Sequence, residues 1–158
     1  MRKSLEAISL AALASIIWIT FRAFYGPSQL PDRIPIHFDA TGVPNGWGPS
    51  STLLFLPVLT VALYLFISVV AMFPAASICA GQVTEENRAH IGALTLQMVA
   101  WLKVETVCFL GWIQWSIIQF ARQGHGHLSP LSVLLFLVAV FGTAGWYMVA
   151  VFRAARHG

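Results

Sequence analysis

Two groups of residues in this 158-residue chain have types and spacings that could do chemistry. The first lies in a loop, LPDRIPIHFDATGVPNGWG, from Leu30 to Gly48. It gathers Asp32, Arg33, His37, Asp39 and Trp47 among prolines and glycines. Two carboxylates and an imidazole so close in sequence are the donor types of a metal site. The H-x-D spacing is short and common, however, and no cysteine supports it. A loop clasp, in which Asp32 or Asp39 accepts backbone N–H groups and Arg33 pairs locally, uses the same residues without an ion. No metal and no cofactor is therefore assigned. His125 and His127, flanked by glycines, read as an exposed turn rather than a second metal pair.

The second group is Lys103 and Glu105, with Gln114 one helical stretch further on. All three fall inside an apolar run, where an ionisable side chain costs several kcal/mol unless it is paired or hydrated. Residues two apart point to nearly opposite sides of a helix, so Lys103 and Glu105 do not face each other. Lys103 shares a stripe with Arg88, Gly92, Thr95, Thr106 and Gln114; Glu105 shares the other side with Met98, Phe109, Trp112 and Ser116. The remaining acids are Glu6, Asp32, Asp39, Glu85 and Glu86, all near span ends or in loops. Partners must then be hydroxyls at similar depth (Ser15, Thr60, Tyr64, Thr143), water, another subunit, or each other through bent side chains. A proton or ion path is one reading of this pair. With no second carboxylate inside the membrane to form a relay, a polar clasp that fixes helix packing or a dimer is preferred. Gln114 likewise reads as a hydrogen bond across helices.

The elements that position these residues are almost all apolar helix. The chain is 58% hydrophobic and only 9% charged, with a mean hydropathy of +0.75, far from the composition of water-soluble domains. It reads as an all-α integral membrane bundle of four transmembrane helices with a Pro/Gly-rich structured outer loop, a single membrane domain over residues 1–158. The spans are expected at about 5–25, 53–73, 90–120 and 131–152, each near or above the roughly 20 residues a bilayer needs. The N-terminal Met1-Arg2-Lys3-Ser4 and apolar run resemble a secretory signal, but the run continues to Phe24, longer than a cleaved signal. Ile34, Ile36 and Phe38 alternate with Pro35 and His37, which predicts a short extended piece. Asp39 to Gly42 and Pro44 to Gly46 read as turns. Ser50-Ser51-Thr52 and Thr84 are expected helix caps. Residues 91–120 alone would make a helix about 45 Å long, which must tilt or protrude from a core of about 30 Å.

The net charge of +3 comes from basic residues near span ends and is no nucleic-acid signal. Arg2, Lys3, Arg88, Arg153 and Arg156 fall on one side, against Arg22, Arg33 and Arg122 on the other. The positive-inside bias then puts both termini in the cytoplasm and the loop outside. Trp18, Trp47, Trp112 and Trp115 read as interface anchors, and Cys79 and Cys108 as free thiols that pack like small hydrophobes. No nucleophile–base arrangement, phosphate-cradling glycine loop, HExxH or CxxC occurs, so the reading is of a non-enzyme.

The loop also resembles the signature of the bacterial membrane domain of unknown function 1648, through Pro31, Pro35, His37, Phe38, Gly42, Pro44, Gly46, Trp47 and Gly48. That domain also stands at the N-terminus of Sdp-type immunity proteins. The resemblance spans roughly Leu5 to Phe73, and the later Glu-Glu-Asn-Arg and Trp-Leu-Lys-x-Glu segments are similar to stand-alone four-span members. It implies a multi-pass protein of the bacterial inner membrane. By analogy it implies immunity- or signalling-like binding of a toxin, peptide or partner through residues 30–48. The other functions in view are an ion- or proton-transport element built on Lys103 and Glu105, and an accessory subunit of a larger complex. The partners implied are the lipid bilayer, a peptide, toxin or protein at the loop, and a second copy of the chain.

Overall fold

The computed structural model describes residues 1–27, 29–73, 84–124 and 128–156. Among the described residues four helices are long and apolar enough to cross a membrane. They are α1 (Arg2–Tyr25), α2 (Phe55–Val70, entered through a 3-10 turn at Ser50–Leu54), α3 (Arg88–Gln123) and α4 (Pro130–Arg156). Between α1 and α2 lies an antiparallel hairpin of β1 (Arg33–Phe38) and β2 (Pro44–Pro49), the one sheet among the described residues. The fold is thus mainly helical, as the apolar runs predict.

Helix α3 is the axis of the bundle, packing against α1, α2, α4 and β1. Its 36 residues make a rod about 54 Å long, well beyond a hydrocarbon core of about 30 Å. It ends on Gly124, whose φ of 71° is the left-handed conformation that closes a helix at least cost in glycine. α1 runs parallel to α3, with Glu6 beside Lys103, Thr20 beside Gln114, and Arg22 beside Arg122. α4 runs antiparallel: Thr143 meets Glu105 and Tyr147 meets Gln97. Arg2, Lys3, Arg88 and Arg153 therefore share one end of the bundle, and the hairpin occupies the other.

The buried core sits at the hairpin end. Ala23 of α1, Ile34 of β1, Leu53 of the 3-10 turn and Ile117 and Ile118 of α3 form one cluster, flanked by Ile19, Phe38, Leu56 and Ile113. α4 presents most of its surface outward, as a helix facing lipid can, since no apolar side chain there needs to escape water.

Several expected details change. α1 begins earlier, at Arg2, and α4 runs on to Arg156, because a helix needs no apolar residue to continue through a terminal turn. The segment Pro44–Gly46, read as a turn, begins β2 instead. Its glycines serve packing: a Cβ on Gly46 would stand 2.9 Å from the His37 Cβ across the ladder. Ser50, Ser51 and Thr52 do not cap α2: the N-cap positions are Pro49 and Leu54, with no side-chain cap bond. Thr84 lies four residues before α3 and closes a turn with Asn87: its N–H donates to Asn87 Oδ1 at 2.9 Å and its Oγ1 accepts the Asn87 N–H at 3.3 Å. Glu85 pairs with Arg88 at 2.9 Å across the same junction. Cys79, His125 and His127 lie outside the described residues.

Candidate functional site

The hairpin holds its own polar groups. Asp39 closes the turn: Oδ1 accepts the Thr41 N–H at 2.8 Å, the Thr41 hydroxyl at 2.6 Å and the Val43 N–H at 3.0 Å. The Thr41 hydroxyl first, and the backbone donors after it, hold the Asp39 carboxyl below its usual range, since each favours the charged form. Gly42 follows with φ 81°, and its carbonyl accepts the Leu128 N–H at 2.9 Å, tying the hairpin tip to the α3–α4 connection. Arg33 donates from a guanidinium nitrogen to the Trp47 carbonyl at 2.9 Å. His37 donates from Nδ1 to Asn45 Oδ1 across the strands. Asp32 takes part through its carbonyl, which accepts the Ser50 N–H at 2.9 Å.

The hairpin's underside is anchored on α3. Phe38 meets Phe120 edge-on with ring centroids 6.5 Å apart, and Trp47 leans on the same ring at 5.8 Å. Ile34 and Pro35 are buried. Below them a pocket of about 280 Å³ is lined by Ile34, Phe38, Leu53, Phe55, Ile113 and Ile117. Arg33, Ile36, His37, Val43 and Asn45 are exposed, and so is part of Trp47. Among the described residues no three His, Cys, Asp or Glu side chains come together as a metal would require. Asp39 turns back on its own backbone, and His37 bonds Asn45 across the strands.

The structure puts Lys103 and Glu105 on separate seams. Lys103, 4% exposed, faces α1 and α2. Its ammonium donates to Glu6 Oε1 at 3.1 Å, Glu6 Oε2 at 2.9 Å and Ser68 Oγ at 2.9 Å, so all three protons are engaged. It also stands 4.6 Å from the centre of the Tyr64 ring, whose hydroxyl donates to Glu6 Oε1. The expectation that Lys103 must use hydroxyls at similar depth, another subunit, water or Glu105 is corrected: the partner is the Glu6 carboxylate. Lys103 is central in α3 yet level with the second turn of α1, because α3 overhangs that end of the bundle.

Glu105 faces α4, where the Thr143 hydroxyl donates to Oε1 at 2.6 Å; its Oε2 is buried with no hydrogen-bond partner among the described residues. Beside it Phe109 and Phe136 stack at 3.8 Å. Gln114 is fully buried and donates from Nε2 to Thr20 Oγ1, while its Oε1 finds no donor among the described residues. Of the other hydroxyls considered, Ser15 and Thr60 bond carbonyls of their own helices. The participants that sequence reasoning missed are Glu6 and Ser68. Glu6 could have been found by treating α3 as tilted or overhanging, which lowers Lys103 to the end of α1.

Comparison with known proteins bears on the hairpin first. Residues 10–61, running from α1 through the hairpin into α2, match the family described as Domain of unknown function (DUF1648). The chain carries a DUF1648 domain. Every residue of the loop signature lies inside it, and its helices and hairpin are the elements that α3 gathers into the core. Over 152 residues the chain is 28% identical to an uncharacterized protein of Archaeoglobus fulgidus, covering 87% of this chain and 81% of that protein. No solved structure matches the chain.

Proposed function

We propose that this chain is a non-enzymatic, multi-pass protein of the cytoplasmic membrane whose DUF1648 hairpin is an outward-facing recognition platform for a peptide or protein partner. The observation that carries this reading is a surface of exposed side chains on a backbone already fixed. Arg33 and His37 are each bonded across the ladder and Asp39 and Gly42 hold the tip, while Ile36, Val43 and Trp47 stand exposed between them. A fixed platform gives up little conformational entropy on binding, and exposed aromatic and branched side chains beside Arg and His are the contacts that carry binding energy. The bias of basic residues toward the opposite end supports placing the hairpin outside and both termini in the cytoplasm.

The test is photocrosslinking from Ile36 and Val43 in intact cells, with Trp146 on α4, 74% exposed, as the lipid-facing control. The reading expects a discrete protein or peptide adduct at the two hairpin positions, absent at Trp146 and lost in Trp47→Ala protein that still inserts. Adducts identical at all three positions would end it. A membrane-impermeant thiol reagent should also reach Thr41→Cys, but not Glu86→Cys, in intact cells lacking the native cysteines; the reverse pattern overturns the topology.

One observation favours a second reading. The Glu105 Oε2 without a donor among the described residues is the kind of intramembrane acceptor that ion and proton carriers use. On that reading purified protein in vesicles passes protons and Glu105→Gln stops it; no flux from the native chain dismisses it.

A further inference from the structure

A second cavity, of about 360 Å³, opens at the end of the bundle opposite the hairpin. It is lined by Arg2, Lys3 and the Lys103–Glu6 pair, and by the apolar side chains of Ala71 and Met72 at the α2 end and of Leu96 and Val99 on α3. Its charge is not balanced from within. The chain has six acids. Glu6 is held by Lys103, Glu85 by Arg88, and Glu105 by Thr143 on the far seam. Asp32 and Asp39 are at the hairpin end, and Glu86 lines a different cavity with His90 and Arg153. Among the described residues Arg2 and Lys3 make no ion pair, although Arg2 is near enough to act on Glu6 through space. Lys103 has no proton left to donate.

We infer that this cavity binds the phosphate-bearing headgroup of an anionic phospholipid, with Arg2 and Lys3 on the phosphate and the acyl chain along Leu96, Val99 and Met72. Two exposed cations at the cavity attract an anion, and the apolar side chains lining the same cavity favour an anion that carries hydrocarbon. The end of the bundle is also where a headgroup lies if α1 spans the bilayer. Basic side chains at a membrane surface attract anionic lipid, and a walled cavity converts that attraction into a defined site. The buried Lys103–Glu6 pair keeps the wall polar while contributing no net charge. This inference is independent of the hairpin reading, which concerns the other face of the membrane.

The experiment is native mass spectrometry on the full chain in detergent, titrated separately with phosphatidylglycerol, phosphatidylcholine and inorganic phosphate. The expected result is one phosphatidylglycerol retained per chain in clear preference to phosphatidylcholine, with no adduct from inorganic phosphate. Arg2→Gln/Lys3→Gln should weaken retention about 30-fold, the effect of two basic side chains at an anionic surface. Because those charges also steer insertion, Ala71→Phe serves as a second variant: it fills the cavity, leaves every charge in place, and should abolish retention. Equal retention of both lipids, or phosphatidylglycerol binding unaltered in Ala71→Phe, overturns the proposal. Binding of inorganic phosphate as strong as that of lipid overturns the lipid as ligand.

Discussion

The Lys103–Glu6 pair makes a quantitative prediction, because its two members are buried to different degrees. Lys103 is 4% exposed and has all three ammonium protons in hydrogen bonds, whereas the Glu6 side chain keeps 39% of its surface. Breaking a fully buried ion pair costs about 3–5 kcal/mol, because the remaining charge is stranded. Glu6→Gln strands the buried Lys103, but its neighbourhood is open on the Glu6 side, so the cost falls to about 2 kcal/mol. Lys103→Met leaves Glu6 with the Tyr64 hydroxyl and with solvent on its exposed side, and costs about 1 kcal/mol. The double variant strands neither charge. It should therefore be more stable than Glu6→Gln alone, with a coupling of about 1.5 kcal/mol. Unfolding by sodium dodecyl sulfate in mixed micelles, followed by circular dichroism, measures all four corners of the cycle. Additivity to within about 0.3 kcal/mol would show that the two side chains do not pair and would refute the placement of Lys103 at the end of α1.

Three further outcomes follow from the same contacts. Gly42→Ala combines a left-handed φ of 81° with a Cβ placed 1.8 Å from the Leu128 carbonyl oxygen, and should cost at least about 2 kcal/mol in thermal unfolding; Val43→Ala, beside it and exposed, should change little. Asp39 has its folded-state pKa below the usual 3.8, so its support of the turn is fully present above that value and lost as pH falls through the lower folded one. The protection of the Thr41 and Val43 amides, taken relative to their intrinsic exchange rates, should therefore fall as the medium is acidified, and Asp39→Asn should remove that dependence; a pH-independent difference in protection between the two proteins contradicts the bonding described. Thr20→Val leaves both polar ends of Gln114 buried and unmet and should destabilise by about 1 kcal/mol, while Thr20→Val/Gln114→Leu should recover that loss, as the same unfolding titration would read.

The four helices were legible because each apolar run exceeds what a bilayer needs, and hydrocarbon leaves a chain few choices besides helix. β1 was legible from the alternation in Arg33–Phe38. β2 was not, since Pro44, Gly46, Trp47 and Gly48 carry turn-forming types whose actual task is to let two strands and an α3 aromatic approach closely. The separation of Lys103 from Glu105 followed from helical periodicity alone. The Lys103 partner did not, because the axial offset between two helices depends on how their side chains interlock, and no local pattern in α1 or α3 records it. Thr143 was a candidate for Glu105 because both lie well inside their spans. Glu6 was passed over because it lies near an end.

Crosslinking yield from Val43 distinguishes the proposed recognition at the hairpin directly from a role for Lys103–Glu6. It should be measured in intact cells for Ile36→Ser/Trp47→Ala and for Glu6→Gln/Lys103→Met, with insertion of each verified. Recognition at the hairpin predicts that the first variant loses the partner adduct about tenfold or more, the scale of one interface anchor, while the second stays within about twofold of the parent. An adduct that survives the hairpin substitutions and disappears with the Glu6 and Lys103 substitutions would contradict it.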